Sequence, residues 1–240
     1  MYDRRIKGKD LTFGVSGKLH ANSLIMYDHQ TDSLWSHLIG AAVTGPMKGE
    51  KLKPLQSMFT KWDTWRKLHP ATKVLSSGRA GLFSPLRDPY ESYYRSADTG
   101  IIPTRISDKK LYPKEYVLGL VINDKAKAYP FSVLSQQPVI NDTFQAVPLL
   151  VVFDAESTTA IIFNRNLDGQ TLLFKQIQKS GTKALVLTDD ATGSVWDGLT
   201  GTASQGFFKG KKLEALPMTP SFWFGWADHY PNTELFALKK

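Results

Sequence analysis

The residues best suited to chemistry in this chain form a pattern that occurs twice. The order Asp-x-x-Thr-x-Ser-x-Trp runs from Asp28 to Trp35 and again from Asp189 to Trp196. A carboxylate beside hydroxyl groups can act as a general base or bind a polar ligand, and an indole ring can stack on one. The same residues also build turns, because an aspartate side chain accepts backbone N–H groups. The pattern therefore leaves a ligand site and a scaffold open as alternatives.

Three interpretations of the pattern follow. In the first, a polar face lines a cleft in a binding protein. Its candidate binding residues are Asn22, Asp28, Ser33, Trp35, Asp189, Ser194 and Trp196. In the second, a hydrolytic or metal-dependent enzyme has its site near Asn22, Asp28 and Ser33, with a histidine such as His20. In the third, the two aspartates cap hairpin turns and the tryptophans pack beneath them.

Other kinds of chemistry have little support. The chain contains no cysteine, which excludes disulfides, thiolate metal sites and a cysteine nucleophile. Its five histidines form no His-Glu-x-x-His or similar pair, so we predict no metal and no cofactor. Residues 14–18, GVSGK, resemble a phosphate loop but lack its first glycine. No catalytic residue is assigned.

Charge and hydropathy exclude some partner classes. The net charge is +8, but the densest basic stretches, GPMKGEKLK and GFFKGKKLE, lie between glycines as hairpin tips do. Basic residues form no helix or stripe, so we predict no nucleic-acid partner. No apolar run is long enough to span a membrane. The first residues, MYDRRIKGKD, contain no secretion signal, which leaves the localisation uncertain.

The two patterns belong to a longer similarity between the two ends of the chain. When the ends are aligned without gaps so that Asp28 stands opposite Asp189, about a third of the positions from 28 to 75 carry identical residues. The shared residues include Trp62 with Trp223 and Trp65 with Trp226. This period is too long for a solenoid, so the sequence predicts two copies of one module.

Each module is predicted to be mainly β (α+β), with a short helix after its hairpin region. Strand-like runs with β-branched residues, separated by turn residues, predict strands over Val117–Ile122, Leu149–Phe153 and Thr159–Phe163. Helical spacing of aromatic residues predicts helices over Ser57–Leu68 and Ser221–His229, with the tryptophans as core anchors.

The predicted boundaries divide the chain into three parts. A first repeat occupies residues 1–76, a loop rich in Gly, Pro and Tyr occupies 77–113, and a second repeat occupies 114–240. The repeats form either separate domains or one continuous domain. Met1 aligns with Ile162, so the first repeat is expected to lack the lead-in strands that open the second. A sheet edge would then be open, and a homodimer could cover it.

Four stretches of the chain carry a resemblance to a known family: LTFGVSGKLHANSLIMYDHQTDSLW, WDTWRKLHPATKVL, RDPYESYY and TGSVWDGLTGTASQG. They resemble the domain of unknown function 3179, and the resemblance covers nearly the whole chain. It implies a bacterial or archaeal protein located outside the cytoplasm, and it implies no particular reaction.

The chain departs from that family's pattern where chemistry is expected. Similar members carry a His-Glu before an Asn-Asp, and a Cys-x-x-Cys-like segment. Here Gln137-Pro138 precedes Asn141-Asp142, and Asp154 and Ser157 stand at the cysteine positions. The resemblance therefore gives this chain no thiol or metal site. We expect a non-catalytic binding or structural protein, whose partner is a small molecule, a glycan or a protein.

Overall fold

The computed structural model describes residues 1–75, 90–100, 102, 109–178 and 184–238. Short antiparallel sheets dominate it and the helices are short, which confirms the predicted mainly β fold. We call residues 1–75 the N-terminal region and residues 114–238 the C-terminal region. Two residues that stand opposite each other in the gapless alignment of Asp28 with Asp189 are called counterparts.

The N-terminal region is a hairpin, a sheet and a helix. The hairpin pairs β1 (Arg5–Ile6) with β2 (Lys9–Asp10). The antiparallel sheet contains, in spatial order, β3 (Phe13–His20), β4 (Ser23–Asp28), β5 (Leu34–Ser36) and β6 (Ala41–Thr44). Ala21 and Asn22 join β3 to β4 with positive φ angles of 46° and 58°, the geometry of a two-residue hairpin turn. Helix α1 (Trp62–Leu68) ends the region.

The predicted connecting loop at 77–113 lies partly outside the described residues. Within the described part, α2 (Glu91–Arg95) forms one short helix. Lys114 holds this segment, because its ammonium group donates to the carbonyl oxygen of Ser96 at 2.8 Å and lies 3.7 Å from the centre of the Tyr93 ring. The domain boundaries stay a prediction.

The C-terminal region opens with a lead-in of five strands and one helix. In chain order these are β7 (Tyr116–Ile122), β8 (Lys125–Pro130), α3 (Phe131–Gln136), β9 (Val139–Phe144), β10 (Val147–Asp154) and β11 (Thr159–Asn164). The three predicted strands are therefore confirmed as β7, β10 and β11. β10 is buried along most of its length, as its unbroken apolar run predicts.

The remaining elements of the C-terminal region follow. They are β12 (Asn166–Leu167), β13 (Gln170–Thr171), β14 (Phe174–Ile177), β15 (Val186–Asp189), β16 (Val195–Asp197), β17 (Thr202–Gln205), β18 (Glu214–Ala215), β19 (Thr219–Phe222), α4 (Trp223–His229) and β20 (Glu234–Leu235). Three four-stranded sheets result, with the orders β18-β11-β10-β9, β14-β15-β16-β17 and β19-β7-β8-β20. β20 joins β8 in parallel, and the other pairings are antiparallel.

Five elements of the N-terminal region have an element at the counterpart residues of the C-terminal region. β1, β2, β5, β6 and α1 begin and end at the counterparts of the first and last residues of β12, β13, β16, β17 and α4, respectively. Side-chain contacts correspond in the same way: Trp65 Nε1 donates to Thr72 Oγ1 at 2.9 Å, and Trp226 Nε1 donates to Thr233 Oγ1 at 2.9 Å.

The predicted helix starts were wrong by five residues in the first helix and by two in the second. The first helix begins at Trp62 rather than Ser57, because Lys61 has extended backbone angles of −67° and 146°. The second begins at Trp223 rather than Ser221, since Ser221 and Phe222 still pair with β7. Extended backbone thus overrides helical spacing at both starts.

The hydrophobic cores of the two regions are unequal. A large core joins β9, β10 and β11 to the β14–β17 sheet, and a smaller one places α4 on β7 and β8. The N-terminal core contains five buried apolar residues: Ile6, Leu11, Trp35, Ala42 and Leu52. Within the described ranges, no helix is long and apolar enough to cross a membrane.

Candidate functional site

Asp28 lies at the centre of a buried hydrogen-bond network. Its carboxylate accepts the backbone N–H of Thr31 at 2.6 Å and the indole N–H of Trp35 at 2.8 Å. The Thr31 hydroxyl also donates to it at 2.9 Å. Burial alone would raise the pKa of Asp28, but these hydrogen bonds outweigh it and hold the pKa below its ordinary value. The carboxylate is therefore ionised at neutral pH and engaged within the chain.

Ser33 belongs to the same network. Its hydroxyl lies 2.7 Å from that of Thr31 and accepts the backbone N–H of Met47 at 3.0 Å. A β-carbon added at Gly45 would lie 2.7 Å from Ser33 Cα, so only glycine fits beside this serine. Both Asp28 and Ser33 are fully buried.

The C-terminal region repeats the network. Thr192 N–H and Trp196 Nε1 donate to Asp189 at 2.7 and 2.9 Å. Ser194 accepts the backbone N–H of Phe208 at 3.1 Å. Asp189, Ser194 and Trp196 are buried as their counterparts are. Six of the seven predicted binding residues thus form two internal networks, which is the arrangement that the scaffold interpretation describes.

Asn22 is separate from both networks. Its amide group donates to the carbonyl oxygen of Ile102 at 2.6 Å and accepts the backbone N–H of Ile102 at 2.9 Å. Asn22 therefore fixes a stretch of chain beside the β3–β4 turn. The structure does not bring it to the carboxylate of Asp28.

Two histidines meet between the regions. The rings of His20 and His229 lie 5.5 Å apart in an edge-to-face arrangement. His229 Nδ1 lies 2.9 Å from the carbonyl oxygen of Gly225, so this nitrogen carries the proton. Burial lowers the pKa of His229 below its ordinary value, which favours the neutral ring. Sequence reasoning considered His20 but not this partner, since nothing local relates positions 20 and 229.

No group of three or more His, Cys, Asp or Glu side chains is placed to hold a metal in the part of the chain that the structure describes. The family resemblance suggested ligands at Gln137-Pro138 and at Asp154 and Ser157. These two stretches are close together, because Phe153 N–H donates to the carbonyl oxygen of Pro138 at 2.8 Å. Beside them, the Ser157 hydroxyl donates to Asp154. These side chains form a polar turn.

A buried charge network in the C-terminal region was missed by sequence reasoning. Lys127 Nζ lies 2.8 Å from Asp142 and 2.5 Å from Glu234, and the Tyr129 hydroxyl donates to Asp142 at 2.8 Å. Burial would lower the pKa of Lys127, but the two carboxylates outweigh it and raise that pKa. Lys127 therefore stays protonated and ties β20 to the sheet, which makes it a poor nucleophile.

A cavity of about 690 Å³ separates the two regions. Its N-terminal wall includes Tyr2, Leu38, Leu52 and Leu55, and its opposite wall is formed by residues 119–122 of β7 with residues 216–219 and 229–230. Lys51 and Asp124 form an ion pair of 2.5 Å that crosses between the walls. The lining is mainly apolar, as in binding sites that desolvate their ligand.

One wall of this cavity is an extended stretch that is paired along one edge. Tyr2 pairs with Pro54, and Leu55 N–H donates to the carbonyl oxygen of Met1 at 2.9 Å. The counterparts of residues 1–3 lie in β11, which pairs with β18 in the same way and with β10 along its other edge. Among the described residues, no strand pairs with that other edge of residues 1–3.

Arg4 and Arg165 show the consequence of this difference. Arg165 is buried, and its guanidinium donates to the carbonyl oxygens of Leu149 at 3.2 Å and Leu172 at 2.9 Å. Arg4 is exposed and faces Asp10 at 3.5 Å. The lead-in strand β10 thus supplies Arg165 with the Leu149 acceptor, for which Arg4 has no equivalent among the described residues.

Comparison with known proteins gives a family and no function. The family model described as "Protein of unknown function (DUF3179)" matches residues 1–233. No curated protein and no solved structure matches the chain.

Proposed function

The chain belongs to the DUF3179 family, and we propose that it is a non-catalytic binding protein whose N-terminal region receives an added polypeptide segment. The observation that carries this proposal is the edge of residues 1–3, which pairs with residues 53–55 on one side and with no described strand on the other. Unpaired backbone N–H and C=O groups on such an edge are a template for strand addition.

The apolar surface beside that edge supports a polypeptide ligand. Met1 is 75% exposed, whereas its counterpart Ile162, which pairs with Val151 of β10, is fully buried. Tyr2 lines the cavity, whereas its counterpart Phe163 lies in the large core. Met1 is thus uncovered where its counterpart is buried, and Tyr2 is only partly buried where its counterpart is fully buried. Burying such surface is the main favourable term in association.

The added segment comes from outside residues 1–240 rather than from a second copy. The segments of the required type, β7, β8 and β10, are already paired on both edges within the C-terminal region. A second copy could offer them only by opening its larger core, at a cost that the smaller surface of residues 1–3 does not offset. The homodimer predicted from the sequence is therefore an outcome that the tests below distinguish.

We interpret the correspondence of counterparts as an internal duplication, with repeats at 1–76 and 114–240. A small molecule or a glycan in the cavity is an alternative ligand. A hydrolytic or metal-dependent enzyme using Asn22, Asp28 and Ser33 is the alternative activity, which the hydrogen bonds within each network do not favour. Retention of any activity found in Asp28→Ala would exclude it.

The test supplies the segment from the protein's own sequence. Because Met1 is the counterpart of Ile162, a second copy of residues 138–161 can be joined directly before Met1 with the register of β9, β10 and β11 preserved. We expect this addition to raise the free energy of unfolding. The matched control carries Leu150→Asp and Val152→Asp in the added copy, so that its strand cannot pack. Equal stability of the addition, its control and the 240-residue chain would contradict the proposal.

A further inference from the structure

Helix α1 presents an apolar face that its counterpart buries. Trp62 is 47% exposed and Trp223 is 1% exposed. Val74 and Leu75, which follow α1, are 69% and 95% exposed, whereas their counterparts in and after β20 are partly buried. No residue of α1 is buried. The two helices therefore share a shape but differ in what covers them.

The cover of α4 is a β-hairpin. Trp223 and Trp226 pack with Val117 of β7 and with Ala126 and Ala128 of β8. β19 pairs with β7 on one side of the helix, and β20 pairs with β8 on the other. Three successive elements of the chain, β19, α4 and β20, thus contact this hairpin.

Gly119 sets the fit between the helix and the hairpin. A β-carbon at this position would lie 2.2 Å from the ring of Trp226, so any side chain larger than hydrogen collides with the indole. Trp65 is the counterpart of Trp226 and keeps the same bond to a threonine. An occupant of the α1 face therefore needs a glycine beneath Trp65.

Helix α1 on its own has little to stabilise it. It has seven residues, and isolated helices of that length are marginal in water. Most helical stability in proteins comes from packing an apolar face, and the apolar face here is only partly buried, since Trp62 is exposed while Trp65 and Leu68 are half-buried.

We infer that the polypeptide segment received by the N-terminal region includes a β-hairpin of the β7–β8 type, which covers Trp62, Trp65 and residues 73–75. Its first strand is apolar with one glycine beneath Trp65. Its second strand carries small side chains and pairs in parallel with residues 73–74. Its turn places two residues at positive φ, as Asn123 and Asp124 do at 50° and 57°. This inference rests on the proposed function and specifies the partner.

Two additions separate this inference from the proposed function. The short addition places residues 138–161 before Met1, and the long addition places residues 114–161 there, which also supplies β7, β8 and α3. A control long addition carries Gly119→Leu in the added copy. The readout is acrylamide quenching of Trp62, taken as the difference between each protein and its Trp62→Phe variant. Light scattering reports the oligomeric state of each.

We expect the long addition to reduce quenching of Trp62 several-fold, and the short addition and the glycine control to leave it high. If the short addition stabilises the protein but the long one leaves Trp62 exposed, the inference is wrong and the proposed function stands. If neither addition stabilises the protein, the proposed function fails with it. A dimer of the 240-residue chain in which Trp62 is already protected would identify a second copy as the occupant and overturn the inference.

Should the long addition prove insoluble, a synthetic peptide of residues 114–131 provides the second test. We expect the peptide to bind the 240-residue chain and to protect Trp62 from acrylamide. A Gly119→Leu peptide should do neither. Equal protection by both peptides, or by none, would contradict the inference.

Discussion

Trp62 and Trp223 are counterparts that each begin a seven-residue helix, yet they are 47% and 1% exposed. The difference has a local cause, because β7 and β8 lie beneath the second tryptophan and no described strand lies beneath the first. The same difference separates Arg4 from Arg165 and Met1 from Ile162. In each pair the residue of the N-terminal region is the more exposed one.

The tryptophan pair gives the first prediction. Trp223→Ala should lower the free energy of unfolding by about 3 to 5 kcal/mol, because it opens a cavity in a packed core. Trp62→Ala should lower it by less than about 1 kcal/mol, since the side chain is half exposed. Urea titration followed by circular dichroism measures both. A large loss in Trp62→Ala would mean that this tryptophan is already packed in solution.

The arginine pair gives a second prediction, which concerns hydrogen bonds rather than apolar packing. Arg165→Ala should cost at least about 1 to 3 kcal/mol, because the carbonyl oxygens of Leu149 and Leu172 lose a buried donor. Arg4→Ala should change stability by about 0 to 1 kcal/mol, as expected for an exposed ion pair. The same urea titrations compare the two variants. Similar losses would contradict the unequal surroundings of the two arginines.

The sequence predicted where the strands lie better than it predicted which apolar faces are covered by other elements. Unbroken apolar runs identified β10 and β11, because strands buried on both faces have that composition. The helical spacing of Trp62 and Trp65 located α1, but it also predicted that Trp62 is a core anchor, which is wrong. Periodicity reports which face of a helix is apolar, and it does not report whether another element covers that face.

Acid should weaken the Asp28 network. Because hydrogen bonds lower the pKa of Asp28 in the folded protein, its contribution is present above the unfolded pKa of about 3.9 and is lost as pH falls through the folded value. Asp28→Asn should lower stability at pH 7 by about 1 to 3 kcal/mol and reduce the loss below pH 4.

The control for this prediction is the exposed neighbour Asp32, which has a positive φ of 55° that asparagine also tolerates. Asp32→Asn should leave both the stability at pH 7 and the acid transition nearly unchanged. Urea titrations from pH 2.5 to 7 measure these effects. Equal behaviour of the two variants would show that the carboxylate of Asp28 has no special role.

Mild acid should lower the stability of the folded protein through His229. Burial lowers its folded pKa, so the unfolded chain binds a proton first as pH falls below about 6.5, and stability decreases from that pH downward. His20, His37 and Asp228 face the same ring and contribute to its field. His229→Gln should flatten this dependence between pH 6.5 and 5, and His29→Gln, at an exposed site, should preserve it. A flat profile in the unmodified protein would contradict the burial of this ring.

The candidate site was only partly accessible to sequence reasoning. Asp28, Ser33 and Trp35 were identified by their spacing, but spacing alone left a site and a scaffold open, and only the geometry shows that their polar atoms bond to each other. The Lys127 network includes Glu234 from the far end of the chain through the parallel pairing of β20 with β8, which no local pattern indicates. An open sheet edge was expected from the sequence, but its position along residues 1–3 follows from the comparison with β11.

Hydrogen exchange at the backbone amide of Arg4 tests most directly whether the edge of residues 1–3 receives an added strand. Its counterpart, Arg165 N–H, donates to the carbonyl oxygen of Pro148 at 3.0 Å, whereas Arg4 N–H has no such bond within the described residues. Hydrogen–deuterium exchange should show a fast Arg4 amide in the 240-residue chain and a protected one when residues 138–161 precede Met1. The Leu11 amide, which donates to the Arg4 carbonyl oxygen at 3.0 Å, should be protected in both. Fast exchange at Arg4 in both proteins would contradict strand addition at this edge.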